Sequence, residues 1–399
     1  MIERIRTLAD EVFPEVVRIR RALHRRPELA FEEHETAALV AETLRPLGLD
    51  VKTGIAKTGV VAVLEGGRPG PALALRADMD ALPILEANTF DFVSEHPGKM
   101  HACGHDAHTA SLLGTAMILS RLQEDLAGTI WFVFQPSEER IPGGAKVMLE
   151  EGALDGRDGH PAPARIFGQH VFPQLPAGTL GVRGGPFMAS ADEIYLTIRG
   201  KGGHAAAPHL LIDPVLAQAH VLTALQAVIS RHRPVDAPSL LSFGKVEALG
   251  ATNVVPDEVK LEGTFRAMDD TWRFEAHRLI RRTAEGVAAA LGATCEVEIA
   301  VGYPALTNDE AAAAAVRAAA VDYVGAERTV DLPMWYASED FAWYTQRMPG
   351  AFYVLGTGDE AAGITHGLHT PRFTVAEDAL RVGPGFMAYL AWQNGAAGY

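Results

Sequence analysis

Cysteine is nearly absent from this chain: Cys103 and Cys295 are the two it holds. Two thiols are too few for a disulfide framework, which excludes the small secreted scaffolds that depend on one. Long apolar runs are missing as well. No stretch of about 20 apolar residues is present, so no transmembrane helix is expected. The N-terminal MIERIRTLADEVFPEVVRIRR carries charges throughout and lacks the apolar core of a secretory signal, which makes a cytoplasmic location the default expectation. Positive charge is in short supply: 35 Lys and Arg stand against 50 Asp and Glu, a formal net charge of −15. Phosphate neutralisation needs a basic face, so a general nucleic-acid binder is disfavoured, and docking to an anionic membrane fits poorly. Internal repeats and low-complexity tracts are also lacking.

What is present is an ordinary globular composition in a chain of 399 residues, more than one core usually supports, so two domains are expected. Ile2, Ile5, Leu8, Val12, Val16, Ile19 and Leu23 recur every three or four residues and predict an amphipathic helix, ended by Pro27. FEEHETAALVAETLRPLG starts another. GVVAVLEG, PALALRAD, GTIWFVFQ and ARIFGQHV are short apolar runs that predict buried strands, with helices at TASLLGTAMILSRLQEDL and AKVMLEEGAL between them. This alternation predicts an α/β layered domain with a largely parallel sheet. Near LPAGTLGVRGGPFMAS the pattern changes to strand, helix, strand, strand, helix, strand, the ferredoxin-like split order. The chain therefore divides into an outer domain of 1–184 and 301–399 and an inserted α+β domain of 185–300, with AFYVLGTG as a further buried strand of the outer domain.

Polar residues fall where the outer strands end. PALALR runs into Asp78 and Asp80, GTIWFVFQ into Glu138 and Glu139, ARIFGQ into His170, and AFYVLGTG into a loop leading to His369. In open α/β sheets ligands bind at the carboxyl ends of strands. MHACGHDAHTAS, residues 100–111, packs three histidines, a cysteine and an aspartate among small residues. Taken singly, each has an ordinary explanation: a helix cap in DMDALP, a solvated helix start in PSEE, a satisfied histidine at 170, a small buried hydrophobe at Cys103. Their coincidence at one kind of topological position favours a metal site, and imidazole with thiolate favours zinc-like ions.

Ten stretches in order carry a resemblance that spans nearly the whole chain. They are LHRRPELAFEEHET, RADMDALP, MHACGHDAHTA, FQPSEE, GQHVFP, GKGGHAAAPH, TNVVPD, GTFRAM, SEDF and LHTP. The chain resembles the M20 metallopeptidase superfamily, in particular its amidohydrolase branch of hippurate hydrolases, N-acyl-L-amino-acid amidohydrolases and auxin-conjugate hydrolases. The resemblance implies a zinc-peptidase-like α/β catalytic domain with an inserted lid and dimerisation domain, and a homodimer or homotetramer formed through that lid. It implies two divalent metal ions per subunit, held by Cys103, His105, Glu139, His170 and His369, with zinc first and Mn, Co or Ni as alternatives. Asp80 would sit just behind the metals and hold a ligand in position. His204 would help stabilise the oxyanion, in its own or a partner subunit's site, and Asn253 and Arg266 are candidates for the substrate's carboxylate.

Asp106 is a candidate brace for His105. His101 and His108 are expected to be loop, helix-start or supporting residues, His366 to be solvated, and Cys295 to pack in the core of the inserted domain.

The implied chemistry is amide hydrolysis of N-acyl amino acids. Adjacent acids point in different directions, so Glu139 can bind metal while Glu138 acts as general base and then acid on a metal-activated water. Three other readings compete: a di-metal dipeptidase or carboxypeptidase on the same scaffold, a non-catalytic binder of acyl-amino acids, and a redox protein using Cys103. A binder needs no base at Glu138, and no second cysteine lies near Cys103 in sequence to resolve a disulfide.

Overall fold

The fold is taken from a computed structural model, which describes residues 1–157 and 159–396. The chain forms two compact units. One is Met1–Gly185 with Thr307–Pro333 and Asp340–Tyr399; the other is Pro186–Leu306 with Met334–Glu339.

In the first unit eight strands lie in the spatial order Asp50–Ile55, Gly59–Glu65, Ala127–Gln135, Arg68–Asp78, Arg165–Pro176, Gly350–Gly358, Leu180–Val182 and Thr329–Asp331. The four strands from Ala127–Gln135 to Gly350–Gly358 run parallel, as the strand–helix alternation predicts. The flanks include antiparallel pairs. Asp50–Ile55 and Gly59–Glu65 are joined by residues 56–58, a connection that permits only a hairpin. Asp50–Ile55 escapes the sequence reading because it is an edge strand whose Asp50, Lys52 and Thr53 face solvent.

The central strands are buried on both faces, which is why they read as continuous apolar runs rather than alternating ones. One face packs against the helices Ile2–Arg25, His105–Ser120, Glu310–Val324 and Gly383–Ala396 in a single core. Ile2–Arg25 contributes Ile5, Ala9, Val12, Val16, Ile19 and Leu23, one stripe at helical spacing. Each large apolar side chain so buried contributes about 1.5–3 kcal/mol relative to exposure. His105–Ser120 is the helix buried on nearly every side. A Cβ on its Gly114 would lie 2.6 Å from Val16 Cγ2 and 3.0 Å from Pro384 Cβ, so glycine is what lets three helices approach there. The opposite sheet face meets the short helices Gly144–Glu150 and Ala342–Arg347. The Tyr344 hydroxyl donates to Met148 Sδ at 3.7 Å, and Phe341 packs on Phe352 with centroids 5.0 Å apart.

The second unit is a four-stranded antiparallel sheet in the order Ser239–Glu247, Glu258–Ala267, Asp192–Arg199, Thr294–Val301. With the helices Pro214–Ala227 and Asp270–Ala290 it has the split order read from the sequence. Asp192–Arg199 alternates buried and more open residues, as expected of a sheet covered on one face. Its boundaries differ from 185–300 in two respects. Gly302 N–H still bonds Ala191 O at 2.9 Å, so the unit continues beyond its last strand. Met334–Glu339 belongs here rather than with the outer domain because Trp335 N–H donates to Phe187 O at 2.8 Å and Ala189 N–H to Trp335 and Ala337 carbonyls. A short non-periodic segment carries no sequence signal of that pairing. No helix among the described residues is long and apolar enough to cross a membrane.

Candidate metal centre and catalytic site

The parallel strands of the first unit deliver their carboxyl ends to one sheet edge. Asp78 and Gln135 pair at the ends of their strands, and Asp80, Glu138 and Glu139 follow directly. His170 lies within its strand rather than after it, because Gly350–Gly358 keeps pairing as far as Gly358 with Pro176. It stands two residues beyond Gly168, the last to pair with Arg68–Asp78, and so faces the same edge.

Two loops complete the arrangement. Gly104 caps the helix His105–Ser120 with φ of 85°, a conformation that costs an L side chain. A Cβ there would also lie 2.5 Å from Val171 Cγ2. The glycine thus lets Cys103 and His105 sit on either side of a tight bend. His369 itself has φ of 59°, and its N–H donates to Ala102 O at 2.8 Å, which pins its loop to the Cys103 loop.

The side chains converge. Cys103 Sγ lies 3.5 Å from His170 Nε2 and 3.3 Å from His369 Nε2. His369 Nε2 is 3.1 Å from Glu139 Oε1, which is 4.0 Å from His105 Nε2. Cys103, His105 and His170 form one group with the spacing of a metal site; Cys103, Glu139 and His369 form another, and His105, Glu138 and Glu139 a third. All five residues expected as ligands fall in these overlapping groups.

The donor chemistry fits a divalent cation. His170 Nδ1–H donates to Val171 O at 2.7 Å, leaving the Nε2 lone pair toward Cys103. His105 Nδ1 faces Asp80 Oδ1 at 3.3 Å, which leaves Nε2 as the nitrogen turned toward Glu139. His105 Nε2 is buried without a hydrogen-bond partner, 4.0 Å from Glu139 Oε1, which has His369 Nε2 at 3.1 Å. Buried polar atoms are rarely left so, and one that faces a carboxylate inside a group with metal-ligand spacing fits a place for an ion.

A supporting layer holds these groups. Asp80 accepts the N–H of Glu138 on Oδ1 and of Glu139 on Oδ2, both at 2.9 Å. It therefore orients His105 and the acidic pair together. His108 Nδ1–H donates to Asp78 Oδ1 at 2.6 Å, and its Nε2 accepts Val171 N–H at 2.8 Å. Asp106 does not brace His105, contrary to expectation. It lies 2.7 Å from His24 Nδ1 and 2.9 Å from Arg20 Nε, all three being buried, because the helix turns successive side chains about 100° apart.

Sequence reasoning missed Arg76. It donates to Asp78 Oδ2 at 2.6 Å, Asp340 Oδ1 at 2.9 Å and Gln135 Oε1 at 2.9 Å. Asp340 N–H in turn reaches Glu138 Oε1 at 3.4 Å. The available signal was an arginine inside the otherwise apolar strand PALALRAD.

The electrostatics are those of an acid-rich pocket. Burial, then the carboxylates of Glu139, Glu138 and Asp78, push the Cys103 thiol well up. A thiolate there would need a strong positive charge beside it, which a bound divalent cation would supply. Burial alone would push His105 down, but Asp78, Asp80 and Glu139 hold it up at about 10. Burial likewise opposes ionisation of Asp78, yet His105, Arg76 and His108 keep it well below the usual carboxylate range. Burial pushes His170 well down and His101 to about 4. Both ring nitrogens of His101 are buried without partners.

The remaining expected residues, His366 apart, belong to the second unit. His204 is exposed on the two-residue strand Gly203–His204, which pairs with Val254–Val255. A Cβ on Gly202 would meet Val255 O at 2.4 Å, so the glycines do permit close backbone approach. Ala205 N–H donates to Asn253 O at 3.0 Å, bringing His204 and Asn253 into one small ladder. Arg266 stands on another sheet, opposite Leu240, half-buried and with its pKa lowered by that burial. Cys295 is partly buried against the core of this unit, and His366 of the first unit is exposed.

The family model for peptidase family M20/M25/M40 matches residues 74–393. An N-acyl-L-amino acid amidohydrolase of Geobacillus stearothermophilus is 45% identical over 77% of this chain and 82% of its own. Thermostable carboxypeptidase 2 of Saccharolobus solfataricus is 36% identical over 98% of both chains. Among solved structures, Bacillus subtilis YXEP, described as a dinuclear metal binding peptidase from the M20 family, is 37% identical with a TM-score of 0.83, covering 96% of this chain and 98% of that one. The chain belongs to peptidase family M20/M25/M40, as an enzyme that hydrolyses amide bonds.

Proposed function

We propose that this enzyme cleaves the amide bond of N-acyl amino acids, releasing a carboxylic acid and a free amino acid. The observation that carries the reading is Glu138, a buried acid beside Cys103, His105, Glu139, His170 and His369. Those five are the ligands of two divalent cations in this reading, zinc first, with Mn, Co or Ni as alternatives. Support for a pair comes from the overlap of the ligand groups at Cys103. When bound, such cations supply Lewis acidity, which lowers the pKa of water from about 16 to about 7 in the best zinc case.

Glu138 takes the proton of the attacking water on its carboxylate and returns it to the leaving amine. Asp80, through the amides of Glu138 and Glu139, keeps the base and its neighbour in register. His204 stabilises the oxyanion, a role typically worth a few kcal/mol, and Asn253 and Arg266 grip the free carboxylate of the substrate. A homodimer or homotetramer formed through the inserted domain belongs to the same reading.

Glu138→Gln tests it: turnover collapses while metal content stays near wild type, whereas intact turnover removes Glu138 from the mechanism. The likeness to a carboxypeptidase favours a second reading, removal of the last residue of a peptide. Hippurate, N-acetyl amino acids and dipeptides, assayed side by side with added metals, decide between the two.

A further inference from the structure

An acid in the first turn of a helix ordinarily serves that helix's exposed amides. Glu33, at the start of His34–Leu44, does not. Glu28 takes that duty, accepting Glu35 N–H at 3.0 Å and Thr36 N–H at 2.8 Å. Glu33 is left to point inward, fully buried. Its Oε1 accepts Phe31 N–H at 3.0 Å and Ser137 N–H at 2.8 Å, and its Oε2 accepts the Thr58 hydroxyl.

These donors sit in three separate turns that share one property. Phe31 has φ of 63°, Ala56 and Lys57 have 50° and 74°, and Ser137 has 52°. They are four of the five non-glycine residues with positive φ among those described, the fifth being His369. Side chains with a Cβ are disfavoured in that region, so such turns persist when the surroundings hold them. One carboxylate ties all three together.

The Ser137 turn is the one that carries Glu138 and Glu139. Its three successive amides all donate to buried carboxylates: Ser137 to Glu33, then Glu138 and Glu139 to Asp80. Asp80 holds the turn from one side, and Glu33 holds it at the residue just before the base.

We propose that Glu33 is a positioning residue for the reaction, fixing through the Ser137 amide the backbone from which Glu138 projects. The inference rests on Glu138 being the general base. Burial, then the charge of Asp80, keep Glu33 up at about 7, so the fold holds an acid here against its preference for water.

The test compares Glu33→Ala with Glu33→Gln. Glutamine keeps an oxygen for the Phe31 and Ser137 amides and turns an N–H toward Thr58, whose hydroxyl can accept; alanine removes every tie. Hydrogen exchange at amides 137–139 in the metal-free chain is expected to quicken at least tenfold in Glu33→Ala and to stay within threefold of wild type in Glu33→Gln. In the metal-loaded enzyme kcat is expected to fall at least tenfold in Glu33→Ala, with KM within threefold, and to recover in Glu33→Gln. Exchange and kcat near wild type in a folded Glu33→Ala overturn the proposal, as does equal damage in both variants. If the alanine variant does not fold, Glu33→Asp, which withdraws the carboxylate by one methylene, takes its place; exchange at 137–139 that it leaves unchanged is equally fatal. A wild-type enzyme that cleaves no amide with metal present defeats the hydrolytic reading, while the exchange comparison still decides whether Glu33 holds the turn.

Discussion

Replacing Asp80 with asparagine preserves size and shape and changes the hydrogen-bond arithmetic. Asp80 Oδ1 accepts Glu138 N–H at 2.9 Å and faces His105 Nδ1 at 3.3 Å, while Oδ2 accepts Glu139 N–H at 2.9 Å. An amide offers one oxygen and one NH2, so in either orientation a donor meets a donor. If the oxygen stays with Glu138 and His105, the Glu139 N–H is lost; the flipped side chain loses the other two. One buried donor left unpaired costs about 1–3 kcal/mol. If the misplacement reaches the transition state, where about 1.4 kcal/mol is tenfold in rate, kcat/KM falls roughly ten- to a hundredfold. Asp80→Ala, which removes all three partners, should fall further. The assay is steady-state hydrolysis of an N-acyl amino acid, with metal content and unfolding midpoint measured on the same preparations. An Asp80→Asn enzyme with wild-type kcat/KM and midpoint would refute the claim that this carboxylate holds the acidic turn.

Other consequences are equally concrete. Gly104→Ala must carry a Cβ at φ of 85° and 2.5 Å from Val171 Cγ2, which predicts roughly 2–5 kcal/mol of destabilisation in a urea titration. Arg76→Met strips the guanidinium from buried Asp78 and Asp340 and should cost about 3–5 kcal/mol by the same titration. In the second unit, burial would raise Asp192, but Arg273 and His277 hold its pKa below the usual carboxylate value. The folded chain then binds fewer protons there than the unfolded chain. That stabilisation is full above the unfolded pKa near ~4 and is lost as pH falls below it. Asp192→Asn should therefore lower the unfolding midpoint at pH 7 and flatten its decline below about pH 4, as followed by circular dichroism across pH.

Legibility in the sequence follows from which physical signals are local. The central strands are readable because burial on both faces leaves apolar runs, and the second unit's order because each element keeps its own period. Glu139, His170 and His369 stand out as polar residues after apolar strands, Cys103 and His105 as members of the dense polar stretch at 100–111, and the family resemblance selects these five as ligands. Their mutual distances are not readable, since those depend on register: His170 is mid-strand because a neighbour keeps pairing past it. Proximity in sequence suggests Asp106 as a partner of His105, whereas helix geometry turns it toward Arg20 and His24. Glu33 and Arg76 act through partners more than 50 residues away, Ser137 for one and Asp340 for the other. No local pattern encodes such pairs.

Metal analysis of purified wild type and Cys103→Ala, set beside activity before and after chelation, bears most directly on the central claim. Two equivalents of divalent cation per chain, at most one in Cys103→Ala, and activity that a chelator abolishes and added metal restores are the predicted results. A wild-type enzyme that turns over N-acyl amino acids without retaining metal and regardless of chelator would contradict the account.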